Sequence, residues 1–159
     1  MIFALIAYAA AMTVANLLVA SFGPSISPIN SFFLIGLDLT LRDWLHVRLK
    51  TWQMGFLIVG TGALTYLLNP AAGMIAVASA ASFLVAALVD WAVFAKASGS
   101  WLKRANVSNA AGAAVDSLLF PTIAFGVLMP EIIAMQFAAK IAGGFGWSLL
   151  LAKLKGQAE

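Results

Sequence analysis

Cysteine is absent from this chain of 159 residues, and histidine occurs once. Without cysteine the protein forms no disulfide, no thiolate metal site and no cysteine nucleophile. The sequence also contains neither a phosphate-binding loop nor the glycine-flanked serine of serine hydrolases. A metal site would have to be assembled from scattered carboxylates. We therefore predict that the chain is not an enzyme, with no catalytic residues, no cofactor and no metal.

Charged residues are scarce as well. They make up 9% of the chain and hydrophobic residues make up 63%, whereas a soluble domain has about 25% charged and about 45–50% apolar residues. One membrane crossing needs about 20 apolar residues, so a chain of this length holds about six. The composition therefore predicts an all-α integral membrane protein, a compact bundle of six transmembrane helices in a single domain (residues 1–159). The spans are expected near residues 2–22, 29–41, 53–68, 71–95, 107–129 and 131–152.

Proline and charge distinguish the two sides of this predicted bundle. Pro24, Pro28, Pro70 and Pro130 mark three turns that carry almost no charge, because proline and the residue before it resist helix continuation. The basic residues fall in the other connections and after the last span, and the positive-inside rule places those in the cytoplasm. We therefore expect both termini to be cytoplasmic, in a multi-pass protein of the bacterial plasma (inner) membrane. Eight of the nine basic residues belong to this side: Arg42, Arg48, Lys50, Lys96, Lys103, Arg104, Lys153 and Lys155.

Polar side chains occur within nearly every predicted span. Lipid offers them no hydrogen bonds, so each must face a partner or a water-filled cavity. We therefore expect these side chains to converge in the interior of the bundle. They are Asn16, Asp38, Asp90, Asn109, Asp116, Gln136 and Lys140.

Helical spacing groups some of these residues on common faces. In the fifth span, Asn109, Gly112, Asp116 and Phe120 share a face at steps of three and four residues. In the sixth span, Gln136 and Lys140 are four residues apart and point the same way. The carboxylate of the fifth span and the amide and ammonium of the sixth are therefore candidates for one site.

Structural interpretations of the charged residues remain open at this stage. Asp116 and Lys140 also fit a buried ion pair that only holds the fifth and sixth spans together. Asp38 and Arg42 have the spacing of an ion pair within one helix, near the cytoplasmic boundary. Asp90 lies close to the end of its span, where it can pair with a nearby basic residue.

Residues 103–126, KRANVSNAAGAAVDSLLFPTIAFG, resemble the fifth-helix signature of the queuosine precursor transporter family, also called the vitamin uptake transporter family. The preceding ASFLVAALVDWAVF is similar to the fourth helix of that family, with its aspartate at Asp90. The positions of the fifth helix that carry the resemblance are Arg104, Ser108, Gly112, Asp116, Ser117, Phe120 and Ala124-Phe125-Gly126.

The resemblance implies uptake of a 7-deazaguanine such as preQ0 or preQ1, a precursor of queuosine. A carboxylate can accept hydrogen bonds from the ring N1–H and the exocyclic amine of such a ring, amides can satisfy its other polar atoms, and aromatic rings stack on its face. We predict that Asp116 binds the guanine-like edge and that Phe120 stacks on the ring. The predicted substrate-binding residues are Asp116, Asn109, Gln136, Asp90, Phe120, Lys140 and Asn16.

Two roles are compatible with these features. One is a transporter that works alone, and the other is a substrate-binding subunit of an energy-coupling-factor type vitamin transporter, which needs an ATPase partner because this chain has no nucleotide-binding motif. The predicted partners are a deazaguanine-like heterocycle and the lipid bilayer, with homo-oligomerisation and the ATPase left open. We expect no nucleic acid partner, because the basic residues are interleaved with spans and form no patch.

Overall fold

The computed structural model describes residues 1–46, 48–99 and 101–154, so Lys155 and the side chain of Lys153 lie outside the described part. Every regular element in these ranges is helical, and the helices overlap all six predicted segments. A π-helical segment, Ser31–Ile35, and two 3-10 turns, Pro24–Ile26 and Pro70–Ala72, connect some of them. The α-helices are α1 (Ile2–Phe22), α2 (Ser27–Asn30), α3 (Gly36–His46), α4 (Thr51–Leu68), α5 (Gly73–Lys96), α6 (Trp101–Phe125) and α7 (Pro130–Leu154).

Glycine and proline end the helices where the sequence predicts turns. Gly23 follows α1 with φ +73° and Gly126 follows α6 with φ +71°, a backbone conformation that costs glycine little. After α4, the Asn69 side chain accepts a hydrogen bond from the Ala71 N–H at 3.1 Å. The chain therefore reverses at each of the three charge-poor turns.

The start of α6 differs from the predicted boundary. The helix begins at Trp101 rather than near residue 107, and it ends at Phe125. Its basic residues therefore lie within the helix and not in a loop. The Arg104 guanidinium donates hydrogen bonds to the Phe94 carbonyl at 2.9 and 3.1 Å. The same guanidinium lies 4.3 Å from the centroid of the Phe94 ring. Arg104 thus ties the first turns of α6 to the end of α5.

Small residues form the interface between α5 and α6, the most extensive helix contact in the described part. Ser82 and Ala86 of α5 are both buried. A Cβ atom on Gly112 of α6 would lie 3.3 Å from both the Ala86 carbonyl oxygen and the Asp90 Cβ. The two backbones approach closely because these positions carry little or no side chain.

Glycine also allows α7 to touch the π-helical segment. A Cβ atom on Gly36 would lie 2.6 Å from the Gly143 carbonyl carbon, and a Cβ atom on Gly143 would overlap the Phe32 carbonyl oxygen. Close by, the Trp147 indole donates a hydrogen bond to the Phe33 carbonyl at 2.8 Å. The π-helical segment is therefore held against α7 by backbone contact and by this indole.

The distribution of polarity is inverted relative to a soluble domain. Large apolar side chains such as Phe3, Phe56 and Leu67 are exposed, whereas Asp38 and Lys140 are buried. An extensive apolar exterior is typical of a surface that contacts lipid or another protein. By length and apolar composition, two helices of the described part could cross a membrane, residues 2–22 and 70–96. The other spans stay predictions.

Candidate functional site

A cavity in the interior of the bundle collects side chains from every helix of the described part except α4. Its volume is about 30 Å³, room for about two water molecules. Five of the seven predicted substrate-binding residues line it, namely Asn16, Asp116, Phe120, Gln136 and Lys140. The full lining is Met12, Ala15, Asn16 and Val19 of α1, Ser27, Asn30, Ser31, Ile35 and Asp38 of the segment from α2 to α3, Ser79 and Phe83 of α5, Asp116 and Phe120 of α6, and Gln136 and Lys140 of α7.

Lys140 lies at the centre of a charged network in this cavity. Its ammonium is 2.7 Å from Asp116 Oδ2, and the two side chains are 2% and 19% exposed. The ammonium also donates to Ser117 Oγ at 3.1 Å and to Gln136 Oε1 at 3.4 Å. The ion pair that the sequence left open is therefore present. It connects α6 to α7 within the cavity itself, so a structural role does not preclude a role in binding.

Asp116 keeps hydrogen-bonding capacity despite this pair. The ammonium contacts Oδ2, and an ionised carboxylate has two oxygens with about four lone-pair sites, so one such contact does not exhaust it. Lys140 compensates the negative charge, which keeps a strong acceptor stable at low exposure. The carboxylate can therefore accept a further hydrogen bond from an N–H or amine group that enters the cavity.

Gln136 presents a donor to the same space. Its Oε1 faces the Lys140 ammonium, which fixes the orientation of the amide because the opposite orientation would bring two donors together. The side chain is 1% exposed, and its Nε2 has no hydrogen-bond partner among the described residues. A buried amide donor without a partner costs free energy, so this atom indicates a ligand or water in the cavity.

Ser27 and Asn30 line the cavity from α2, and sequence reasoning did not select either. The Asn30 Nδ2 donates to the Ala15 carbonyl at 2.9 Å. Its Oδ1 is buried and, like Ser27 Oγ, lacks a hydrogen-bond partner within the described part. The only sequence signal was an asparagine beside a proline turn in an apolar run, which is also an ordinary pattern for the start of a helix.

Asn16 and Phe120 complete the predicted residues that line the cavity. The Asn16 Nδ2 lies 3.5 Å from Thr65 Oγ1 of α4, which fastens α1 to a helix that does not itself line the cavity. Phe120 lies one turn beyond Asp116 on α6, and Phe83 of α5 also lines the cavity. The cavity thus offers aromatic side chains beside its polar groups, as a flat ring requires.

Asp90 and Asn109 do not line the cavity. The Asp90 Cβ packs toward Gly112 in the contact between α5 and α6. Asn109 lies two turns before Asp116 along α6, in the direction of Arg104. The structure therefore separates these two predicted residues from the other five.

A second, smaller cavity of about 10 Å³ adjoins the first. Both cavities are lined by Ile35, Asp38, Phe83 and Asp116. Arg42 lines only the second, with its guanidinium 4.7 Å from the centroid of the Phe83 ring. The two cavities are therefore neighbours that share these four residues.

The groups that line the cavity can bind a ligand by hydrogen bonding and by aromatic stacking. Its buried groups supply acceptors at Asp116 and Asn30, a donor at Gln136 and aromatic walls. No cluster of three metal-ligating side chains occurs among the residues that the structure describes. A family profile described as "Putative vitamin uptake transporter" matches residues 1–150. No curated protein and no solved structure matches the sequence.

Proposed function

The chain belongs to this vitamin uptake transporter family, and on that premise we propose that it takes up a queuosine precursor, a 7-deazaguanine such as preQ0 or preQ1. The observation that carries this proposal is the arrangement of polar groups in the larger cavity. Asp116 supplies a charged acceptor, and Gln136 Nε2 supplies a buried donor that has no partner in the described part. A guanine-like edge has an N–H, an amine and a carbonyl oxygen next to one another, which matches such a set.

The cavity must widen for such a ligand to bind. A volume of about 30 Å³ holds water but not a bicyclic ring. Its walls belong to separate helices, and the second cavity begins where Asp38 and Phe83 end the first. Transporters commonly bind substrate at a central site and open that site to one side of the membrane at a time. We propose that the described conformation is a closed one.

We also propose that the six helical segments form one multi-pass domain, with both termini cytoplasmic, in the bacterial inner membrane. The apolar exterior and the basic residues near two connections and after the last span support this placement. Green fluorescent protein fused after residue 159 is expected to fluoresce in bacterial cells, and alkaline phosphatase fused there to be inactive. A fusion within the first turn, after Ser25, is the matched control and is expected to give the reverse. Phosphatase activity at residue 159 would contradict the topology.

Replacing Asp116 with asparagine is expected to weaken deazaguanine binding by about 10- to 100-fold. A hydrogen bond to a charged group contributes about 1.5–3 kcal/mol, and the amide offers a weaker acceptor. The measurement is thermal stabilisation of the detergent-purified protein titrated with preQ0, preQ1, guanine, flavin, biotin and thiamine. Asp90→Asn is the matched control, because it makes the same change outside the cavity.

The outcomes test the identity of the substrate and the role of the protein separately. A shift selective for a deazaguanine, lost in Asp116→Asn and kept in Asp90→Asn, supports the site. A shift unchanged in a folded Asp116→Asn protein would remove Asp116 from it. Uptake of the bound probe by liposomes that contain this chain alone supports a self-sufficient transporter. Binding without uptake would instead favour the substrate-binding subunit that depends on an ATPase.

A further inference from the structure

We propose that Ser27 and Asn30 form a second recognition surface, which selects substrates that present a hydrogen-bond donor such as an amine. This inference rests on the proposed function, because it concerns the ligand of the same cavity. It adds a chemical requirement on a part of the ligand that Asp116 does not contact.

The orientation of the Asn30 amide is fixed by the protein itself. Its Nδ2 donates to the Ala15 carbonyl oxygen at 2.9 Å, and the opposite orientation would bring two oxygens together. Oδ1 is therefore the atom of this amide that is left for another partner. Asn30 is 5% exposed, and this oxygen has no hydrogen-bond partner among the described residues. The protein thus holds an acceptor, and not a donor, at this position.

Ser27 reinforces the same surface. It precedes Asn30 by three residues, so both side chains lie on one face of the helical segment, and both line the cavity. Ser27 is 2% exposed and its Oγ also lacks a partner in the described ranges. Two adjacent buried polar groups without partners are costly to the fold. A ligand group that binds both would repay that cost.

The chemical requirement follows from the position of these groups. Asp116 and Gln136 belong to α6 and α7, whereas Ser27 and Asn30 belong to α2, which packs on α1 and α7. In a 7-deazaguanine the substituent at C7 lies across the bicyclic ring from the N1–H and amine edge. In this inference the edge binds Asp116 and the C7 substituent reaches Ser27 and Asn30, which line the same cavity. An aminomethyl group can donate to Asn30 Oδ1, whereas a nitrile offers only another acceptor.

The test compares two probes that differ only at C7, the aminomethyl and the cyano 7-deazaguanines preQ1 and preQ0. Dissociation constants are measured by calorimetry on the detergent-purified full chain. We expect the unmodified protein to bind the aminomethyl probe about tenfold more tightly or better. Asn30→Ala is expected to remove this preference by weakening the aminomethyl probe alone. Asp116→Asn is expected to weaken both probes by the same factor.

Two further variants keep the test decisive if Asn30→Ala does not fold. Ser27→Ala removes a hydroxyl that bonds to no described residue, so it is expected to fold and to reduce the preference in part. Ser25→Ala is the matched control, since this exposed serine of the same turn contacts only the Phe22 carbonyl. Equal affinity for the two probes, or a preference unchanged in both Asn30→Ala and Ser27→Ala, would overturn the inference and leave the proposed function intact. If neither probe bound the unmodified protein, both would be overturned.

Discussion

Replacing Gly143 with alanine is expected to destabilise the protein by about 3 kcal/mol or more, seen as a fall in melting temperature of about 6–12 °C. The added Cβ atom would overlap the Phe32 carbonyl oxygen, and it would also approach the Phe32 carbonyl and α-carbons at 2.9 Å. These are backbone atoms of the π-helical segment, so no side chain can rotate away to make room. Either α7 moves outward or the π-helical segment distorts, and both changes disturb the cavity that they enclose.

Gly146→Ala is the matched control on the same helix. Nothing lies within 4 Å of a Cβ atom built at Gly146, and alanine is the better helix former by up to about 1 kcal/mol. Its melting temperature is therefore expected to stay the same or to rise slightly. The measurement is the thermal unfolding of both variants in the same detergent. Equal changes in the two variants would show that the contact between α7 and the π-helical segment is not tightly packed.

This contact also explains one limit of sequence reasoning. Gly143 and Gly144 have the composition of a helix-packing motif, but the sequence does not say which helix approaches them. The approaching segment is π-helical, and in such a segment the hydrogen-bonded groups are five residues apart, whereas they are four residues apart in an α-helix. Face assignments based on 3.6 residues per turn therefore fail beyond Ser31.

The signature of α6 contains residues of two kinds that a sequence pattern cannot distinguish. Arg104 and Gly112 fasten α6 to α5, through the Phe94 carbonyl and through contact with Ala86. Asp116 and Ser117, in contrast, meet Lys140 in the cavity. Pro121 follows four residues after Ser117 and cannot donate to its carbonyl, which loosens the helix beside the site. Both kinds of residue occur at helical spacing, so spacing alone does not tell them apart.

Distance along the helix explains which predicted residues lie in the cavity. Asp116, Gln136 and Lys140 were predictable together because a charged group in an apolar helix needs a partner at the same depth. Asp90 is seven residues beyond Phe83, a cavity-lining residue of α5, and this places it about 10 Å further along the helix. Asn109 is seven residues from Asp116, about 10 Å away. Helical spacing predicts a common face, but a common depth does not follow from it.

Replacing Lys140 with methionine is expected to lower the free energy of unfolding by about 3 kcal/mol. Methionine keeps the unbranched shape, but the Asp116 carboxylate then stays in the cavity with no positive partner among the described residues. Removing one member of a buried ion pair costs about 3–5 kcal/mol, and the 19% exposure of Asp116 favours the lower end. Lys96→Met is the matched control, because this lysine is exposed at the end of α5, and its effect is expected to stay within about 0.5 kcal/mol.

The double variant Asp116→Asn/Lys140→Met distinguishes a purely structural pair from a binding site. With both charges removed, no uncompensated charge remains, so most of the lost stability is expected to return. Deazaguanine binding is not expected to return with it, because the carboxylate acceptor is gone. Thermal unfolding and probe titration on the unmodified protein, both single variants and the double variant give the two quantities separately. A double variant that recovers both stability and affinity would show that the ion pair only holds α6 against α7, and that the ligand is recognised elsewhere in the cavity.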